Sequence, residues 1–243
     1  MTKDFTWTAS YNVAYNKNKI TKLNNDGSYI ETGAISSGNG NNCQVQAVGH
    51  PVNSFYLFEQ VYDKDGKPLE GVYVDQNNDG VINDDDRRIY HSKDPKVTMS
   101  FSSTFNWKNW DLGFAMHANI GNYVYADAMS DHAVVDNCWK NGKLNNLIQT
   151  DYYFNGTINP AVGIMKSDYW LRNASFLRCD NITLGHTWPY LLDNKMRLRL
   201  YGAVQNPFVI TKYKGLDPEV ASGIDRDVYP RATTFTIGVV ASF

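Results

Sequence analysis

The stretch "FTWTASYNVAY", residues 5–15, alternates between two kinds of side chain over eleven residues. Its odd-numbered positions are aromatic or aliphatic, and its even-numbered positions carry hydroxyl or amide groups, except for Ala14. A period of two residues predicts a β-strand, because successive strand side chains point to opposite faces of a sheet. Eleven residues is long for a strand of a soluble protein.

The same alternation returns along the chain and predicts further strands. They span residues 97–106, 110–119, 176–188, 196–206 and 233–243. Segment 176–188 alternates imperfectly, which predicts a β-bulge. Residues 55–62 form a weaker candidate strand, residues 16–54 remain unassigned, and no amphipathic helix is predicted.

The links between these strands differ in length. Short turns, "WKN" at 107–109 and "PYLLDN" at 189–194, contrast with long polar segments at 121–175 and 207–232. Long two-faced strands joined alternately by short turns and long loops predict an all-β fold, an antiparallel transmembrane β-barrel segment with long extracellular loops. A soluble β-sandwich also alternates, so one strand alone does not separate the two folds.

Composition and motifs exclude several classes of function. A formal net charge of −2 provides no basic face, so we expect no nucleic-acid partner. The cysteines Cys43, Cys138 and Cys179 are scattered, which predicts packing residues and no disulfide framework. No pair of histidines has metalloprotease spacing, and three adjacent aspartates (84–86) on one loop lack the separation of a glycosidase pair. The chain is therefore predicted not to be an enzyme.

The segment "DQNNDGVINDDD", residues 75–86, has the spacing of an EF-hand calcium loop. The expected oxygen ligands at positions 1, 3, 5, 7, 9 and 12 are Asp75, Asn77, Asp79, Val81 (through its carbonyl), Asn83 and Asp86. Gly80 occupies the sharp turn at position 6, and Ile82 the usual apolar anchor at position 8. Position 12 is Asp in place of the usual Glu. The flanking "EGVYV" and "RRIYH" favour extended chain, so we expect structural Ca²⁺ without a helix pair; the alternative is a solvated acidic turn.

Five blocks of the sequence resemble one known family. They are "GVYVDQNNDGVINDDDRRIY" (71–90), "DPKVTMSFSSTFNWKNWDLGFAMHANIGNYVY" (94–125), "SDYWLRNASFLRCDNITLGHTWP" (167–189), "LRLYGAVQNPFVITKYKGLDPEV" (198–220) and "YPRATTFTIGVVASF" (229–243). In content and order they resemble the C-terminal barrel region of SusC/RagA-type TonB-dependent outer-membrane transporters. The resemblance covers nearly the whole chain.

The resemblance implies a fold, a location and partners. It implies that residues 1–243 form the C-terminal portion of a 22-stranded barrel in the bacterial outer membrane, without the plug domain and N-terminal strands. It further implies import of glycan fragments or peptides (oligosaccharide or peptide substrates), with a SusD-like surface lipoprotein, the TonB complex and outer-membrane lipid as partners. The alternative is a secreted, calcium-stabilised, β-rich glycan-binding module.

Two groups of residues are candidates for contact with the interior or the cargo. Asp111, His117, Arg197 and Arg199 are expected to face the barrel lumen, where polar side chains are the rule. Aromatic residues in or beside the long loop could stack on sugars or simply pack: Tyr123, Tyr125, Tyr152, Tyr153 and Trp170. None of them is assigned to substrate.

Overall fold

The computed structural model describes residues 4–23, 29–36, 42–132, 139–144, 166–193, 195–226 and 228–243. Its strands are β1 (Phe5–Tyr15), β2 (Ile30–Ala34), β3 (Asn42–Gln46), β4 (Ser54–Phe58), β5 (Gln60–Tyr62), β6 (Pro68–Tyr73), β7 (Arg87–Ser92), β8 (Val97–Trp107), β9 (Trp110–Ile120), β10 (Tyr123–Tyr125), β11 (Trp139–Lys140), β12 (Lys143–Leu144), β13 (Leu171–Asn173), β14 (Phe176–Leu191), β15 (Met196–Thr211) and β16 (Thr234–Ser242). One short α-helix, α1 (Asp127–His132), and two 3-10 turns, Asp84–Asp86 and Asp168–Trp170, complete the described elements. In the described ranges, no helix has the length and apolar character needed to cross a membrane.

The main sheet has six antiparallel strands in the order β1-β8-β9-β14-β15-β16. These are the six strands that the alternation predicts, so the all-β antiparallel prediction is confirmed. Two predicted boundaries are wrong, because β14 and β15 each run for 16 residues, through Pro189 and Pro207. Both prolines lie where pairing between the two strands is interrupted, so their missing N–H groups remove no hydrogen bond from the ladder.

The register gives the sheet one apolar and one polar face. Directly paired residues share a face, and one row across all six strands reads Phe5, Trp107, Trp110, His186, Leu200 and Val239. The neighbouring row on the other face reads Thr6, Asn106, Asp111, Gly185, Tyr201 and Gly238. The next rows keep this division, with aromatic and aliphatic residues on one side and mainly hydroxyl, amide and small residues on the other.

A buried hydroxyl on the apolar face finds a partner within that face. Ser103 of β8 is 2% exposed, and its Oγ accepts a hydrogen bond from Trp7 Nε1 of β1 at 2.8 Å. The indole N–H and the hydroxyl, each costly to bury alone, thereby satisfy one another.

A predicted β-bulge is confirmed in β14. Cys179 pairs with Met116 of β9 and Asn181 pairs with Ala115, so Asp180 is the extra residue. On the other side of β14 the pairing jumps from Gln205 to Phe208.

Long segments from three places in the chain meet at one end of the sheet. Strands β2, β3, β4 and β7 form a second, four-stranded sheet there, and β2 and β3 belong to the region 16–54 that the sequence left unassigned. A core of buried residues joins this sheet to the other long segments: Ile35, Cys43, Phe55, Leu57, Tyr125, Tyr169, Trp170 and Ile224. Segment 121–175, predicted only as a polar loop, therefore supplies part of a hydrophobic core.

A glycine on the polar face makes room for an ion pair that spans three strands. Arg199 of β15 contacts Asp111 of β9 through two hydrogen bonds, Nε–Oδ1 at 3.0 Å and Nη2–Oδ2 at 2.6 Å. The pair crosses the intervening strand at Gly185, where an added Cβ would lie 2.6 Å from both the guanidinium and the carboxylate.

Gly185→Ala should therefore lower the free energy of unfolding by about 1–3 kcal/mol, because the new methyl group displaces this pair. Gly113→Ala is the matched control: its Cβ would have no neighbour nearer than 3.8 Å, so its effect should stay within about 0.5 kcal/mol. Denaturant unfolding followed by tryptophan fluorescence measures both. Equal effects of the two substitutions would contradict the account.

Candidate functional site

The predicted calcium loop connects two extended segments, as expected from its flanks. It follows β6, ends in the 3-10 turn Asp84–Asp86 and leads directly into β7. Ile82 is 42% exposed, which contradicts its expected role as an apolar anchor. An EF-hand packs this residue against neighbouring helices, and no helix flanks the loop.

Side-chain oxygens of the loop point back to its own backbone. Asp75 accepts hydrogen bonds from the N–H groups of Asn78 (2.7 Å) and Gly80 (2.8 Å). Asp79 accepts from the Val81 N–H at 2.8 Å, and Asn77 accepts from the Asp79 N–H at 3.0 Å. These hydrogen bonds close the backbone of the loop into tight turns, and Gly80 lies in the left-handed region at φ +80°.

Asp86 closes the loop and is fully buried. Its two oxygens accept the N–H groups of Gln76 (2.9 Å) and Asn83 (2.8 Å), which joins the beginning and the end of the segment. In return the Asn83 side chain accepts from the Asp85 N–H, so Asn83 and Asp86 form a capping box around the 3-10 turn. The backbone hydrogen bond from Asn83 is the main cause that lowers the pKa of Asp86 below its ordinary value of 3.8.

Ion pairs fix the end of the loop to its surroundings. Arg87, buried in β7, pairs with Glu31 of β2 at 2.5 Å and with Asp84 at 3.2 Å. Its guanidinium also lies over the ring of Tyr56, 4.3 Å from the centroid. Lys166 reaches Asp84 from the other side at 3.8 Å.

The chemistry of this donor set suits a hard cation, because it offers three carboxylates, two amide oxygens and a carbonyl. All six predicted ligands lie in the one coiled loop. In the described part of the chain, however, no three His, Cys, Asp or Glu side chains are gathered into a cluster that could hold a metal ion. The calcium assignment therefore stays a prediction.

A second buried carboxylate, Asp127, ties the long segments together. Asp127 is fully buried at the start of α1 and accepts the Ser36 N–H (3.0 Å), the Ser36 hydroxyl (2.7 Å) and Arg226 Nε (2.7 Å). Arg226 also donates to the Ala34 carbonyl at 2.7 Å. Residues almost 200 positions apart in sequence are thus held by one side chain.

The segment after β15 has a buried carboxylate of its own. Asp225 accepts the Tyr213 hydroxyl and the Leu216 N–H, both at 2.7 Å. Burial raises the pKa of Asp225, and it also raises the pKa of Tyr213.

Other residues singled out from the sequence fall into three groups. The register places Asp111, His117, Arg197 and Arg199 on the polar face, as expected for a lumen. Tyr125 and Trp170 are fully buried in the core and Tyr123 stacks on His91 at 3.9 Å, whereas Tyr152 and Tyr153 lie outside the described residues. Cys43 and Cys179 are buried and free, as predicted for packing residues, and Cys138 lies outside the described part.

Sequence reasoning missed Glu31, Arg87, Asp127 and Arg226. Each acts through a partner distant in sequence, so no local spacing marks it. Asp127 lies in a segment that the sequence predicts to be a polar loop. Isolated aspartates are common in such loops, so its position alone does not single it out.

Comparison with known proteins identifies the type of protein. Over its whole length the chain is 43% identical to the TonB-dependent receptor SusC of Bacteroides thetaiotaomicron, of which it covers 25%. It is 26% identical to the TonB-dependent receptor P3 of Formosa agariphila, aligned over 99% of the chain and 27% of that receptor. The chain belongs to the SusC/RagA-type TonB-dependent receptors. The predicted resemblance is thereby confirmed.

Solved structures of this receptor type share the fold. The RagAB peptide importer in its open-open state superposes with a TM-score of 0.74 at 25% identity, over 100% of this chain and 27% of the importer chain. The RagAB peptide transporter superposes with a TM-score of 0.73 at 24% identity, over 100% of this chain and 28% of that chain. No protein-family model matches the chain. The chain spans about a quarter of the length of the curated receptors it matches.

Acidification should open the 75–86 loop. A carboxylate whose pKa is lowered in the folded state stabilises the fold above its unfolded pKa and loses that contribution as the pH falls through the folded value. Hydrogen exchange at Gln76 and Asn83, corrected for intrinsic rates, should therefore rise between about pH 5 and about pH 3.

Asp86→Asn should raise exchange at both amides about tenfold at neutral pH, because an amide NH₂ group replaces one acceptor. Asp85→Asn, whose carboxylate is exposed, is the control, and equal responses of the two variants would refute the role of Asp86.

Proposed function

We propose that this chain forms the C-terminal barrel part of an outer-membrane transporter that imports glycan fragments or peptides, driven through TonB. The observation that carries the proposal is the two-faced six-stranded sheet. Its polar face suits a wet lumen and its apolar face suits lipid, while three long segments gather at one end as extracellular loops do.

The apolar face is too exposed for a soluble module. Trp7 is 53% exposed, Phe235 77% and Ile237 84%. Large contiguous apolar surface of this kind marks contact with a membrane or another protein. The secreted glycan-binding module, the alternative from sequence, would leave this surface in water.

Aromatic residues near the two short turns support the same placement. Trp107 and Trp110 flank one turn, and Trp188 and Tyr190 precede the other. All four are at least partly exposed. Trp and Tyr concentrate at membrane–water interfaces, where an apolar ring and a polar tip meet both phases.

The similar receptors support a cargo class and a partner. RagAB is described as a peptide importer, which supports peptides as one class of cargo, and the likeness to SusC supports the TonB-dependent mode. A SusD-like surface lipoprotein is the proposed partner at the end of the sheet where the long segments meet. That end carries the acidic loop and the buried core described above.

Fractionation and growth test this proposal in the source bacterium. The protein should sediment with outer membranes, resist a carbonate wash and require detergent for extraction, because its apolar face lies in lipid. Deletion of its gene should abolish growth on one class of glycan or peptide, and loss of TonB should have the same effect. Deletion of a second, unrelated TonB-dependent receptor serves as the control. Recovery of the protein as a soluble secreted species would overturn the proposal in favour of the binding module.

We further propose that Ca²⁺ is bound by Asp75, Asn77, Asp79, the Val81 carbonyl, Asn83 and Asp86 as a structural ion. When bound, the ion would neutralise carboxylates that otherwise repel one another within twelve residues. The loop does not sit between two helices, so binding would stiffen the loop and would not open a helix pair.

Calcium should raise the melting temperature of the protein, and EDTA should reverse the rise, because the ion binds the folded loop preferentially. Asp75→Ala combined with Asp79→Ala should abolish the response. The matched control is Asp63→Ala with Asp65→Ala in the β5–β6 turn, a second acidic turn outside the predicted ligand set, which should keep it. No calcium response in the unmodified protein would remove the assignment.

A further inference from the structure

A cavity of about 410 Å³ lies where β13, helix α1 and the start of the link between β15 and β16 meet. Small-molecule sites usually measure about 300–1,000 Å³, so this cavity has room for one end of a ligand. Its wall carries three cationic side chains, Arg172, Lys212 and Lys214, and none of the described residues that line it is acidic. We call it the cationic cavity. The chain as a whole has a formal net charge of −2, so this concentration of positive charge is local.

Arg172 is positioned by its own strand and by Tyr169. Its backbone pairs with Val124 of β10 within the β10–β13 ladder. Its Nη1 donates to the Tyr169 carbonyl, and its guanidinium lies over the Tyr169 ring, 5.1 Å from the centroid. Within the described ranges the guanidinium has no carboxylate partner. Its remaining N–H donors are therefore available to a ligand.

Lys212 and Lys214 are held in place through the residue between them. Tyr213 is 7% exposed; its hydroxyl donates to Asp225 at 2.7 Å, and its N–H donates to Thr211 Oγ1 at 3.0 Å. These bonds fix the backbone at the start of the link, while both lysines stay exposed. Asp225 is 1% exposed and does not line the cavity.

The three cations lack a counter-charge. In the part of the chain that the structure describes, neither lysine forms an ion pair, and the same holds for Arg172. Like charges around one cavity repel one another, and an anion bound between them would convert this repulsion into attraction.

The apolar part of the wall belongs to a small core. Tyr213 packs with Val124, Ala126 and Ala174, and Met129 packs against this cluster. Packed side chains and the anchored backbone therefore give the cavity its shape before any ligand arrives. Such preorganisation lowers the entropic cost of binding.

A carboxylate suits this set of donors and is the anionic group that both cargo classes of the proposed function offer. The planar fork of a guanidinium pairs with a carboxylate through two parallel hydrogen bonds, and lysine ammonium groups add point charges beside it. In a glycan fragment the carboxylate belongs to a uronic acid, and in a peptide to the C-terminus. We propose that the cationic cavity binds a carboxylate of the cargo, so that the protein prefers anionic cargo to neutral cargo. Only the word cargo rests on the proposed function; binding of a carboxylate does not.

Calorimetric titration of the purified protein with two pairs of probes tests the proposal. One pair is trigalacturonate and its methyl ester, and the other is N-acetyl-trialanine and its C-terminal amide. At least one acid should bind about tenfold or more tightly than its uncharged counterpart, because the counterpart loses the charge-assisted hydrogen bonds. The pair that shows the difference identifies the source of the carboxylate. Equal affinities within both pairs, or no binding of either acid, would overturn the proposal.

Exposed lysines provide a variant that leaves the packing of the fold intact. Lys212→Gln combined with Lys214→Gln should weaken binding of the acid about tenfold and leave binding of its uncharged counterpart unchanged. Lys17→Gln combined with Lys19→Gln is the matched control, because it removes two exposed lysines of the same spacing from the wall of a different cavity. Unchanged affinity in the first variant, or an equal loss in the control, would overturn the proposal.

A substitution at Arg172 separates hydrogen-bond geometry from charge. Arg172→Lys keeps the positive charge and loses the fork, so it should weaken binding of the acid about threefold or more. An affinity equal to that of the unmodified protein would contradict the pairing of Arg172 with the carboxylate.

The titrations also separate this inference from the proposed function. They use purified protein, in detergent if it is extracted from membranes and without detergent if it is recovered as a soluble species. A soluble protein that prefers the acid would overturn import and support the carboxylate site. An outer-membrane protein that binds acid and uncharged probe equally would keep import and overturn the carboxylate site.

Discussion

The ladder of backbone hydrogen bonds across β1, β8, β9, β14, β15 and β16 is the constraint on which the other features depend. In a nonpolar surrounding, each strand N–H and C=O must be paired with a neighbouring strand, since no water is present to replace the bond. Because directly paired residues share a face, the ladder converts six separate alternating sequences into continuous apolar and polar surfaces. The Asp111–Arg199 pair depends on this alignment, since two residues on strands that are not neighbours meet only if the strand between them presents a glycine at that row.

The long segments at one end of the sheet follow a different principle. They have no ladder of comparable length, and buried carboxylates organise them instead. Asp86 and Asp225 each accept two hydrogen bonds from within their own segment, whereas Asp127 accepts them from Ser36 and Arg226, which lie far apart in sequence. A buried carboxylate is costly unless donors are held against it, so each of these sites fixes the positions of the groups that donate to it. The result is a defined assembly of loops, built from polar contacts around a small hydrophobic core.

The main sheet could be predicted from sequence because its signal is local. Alternation identified each of the six strands, and the imperfect alternation of residues 176–188 indicated that this strand contains a bulge, although not its position. The ends of β14 and β15 were misjudged because proline normally ends a strand, whereas Pro189 and Pro207 occupy positions where the ladder is already interrupted. The core around Tyr125 and Trp170 was missed because it is assembled from short segments with no periodicity of their own. Contacts such as Arg87 with Glu31 join residues 56 positions apart, and no spacing rule connects them.

The hydrogen bond between Trp7 and Ser103 discriminates between pairings that hydropathy cannot tell apart. A slip of one residue between β1 and β8 would turn every side chain to the wrong face, so the apolar pattern forbids it. A slip of two residues preserves both faces and leaves that pattern satisfied. It would, however, separate the Trp7 indole N–H from the Ser103 hydroxyl and leave that buried hydroxyl without its partner on the apolar face. The bond thus favours the observed alignment of β1 and β8 over the other alignments that a two-residue repeat allows.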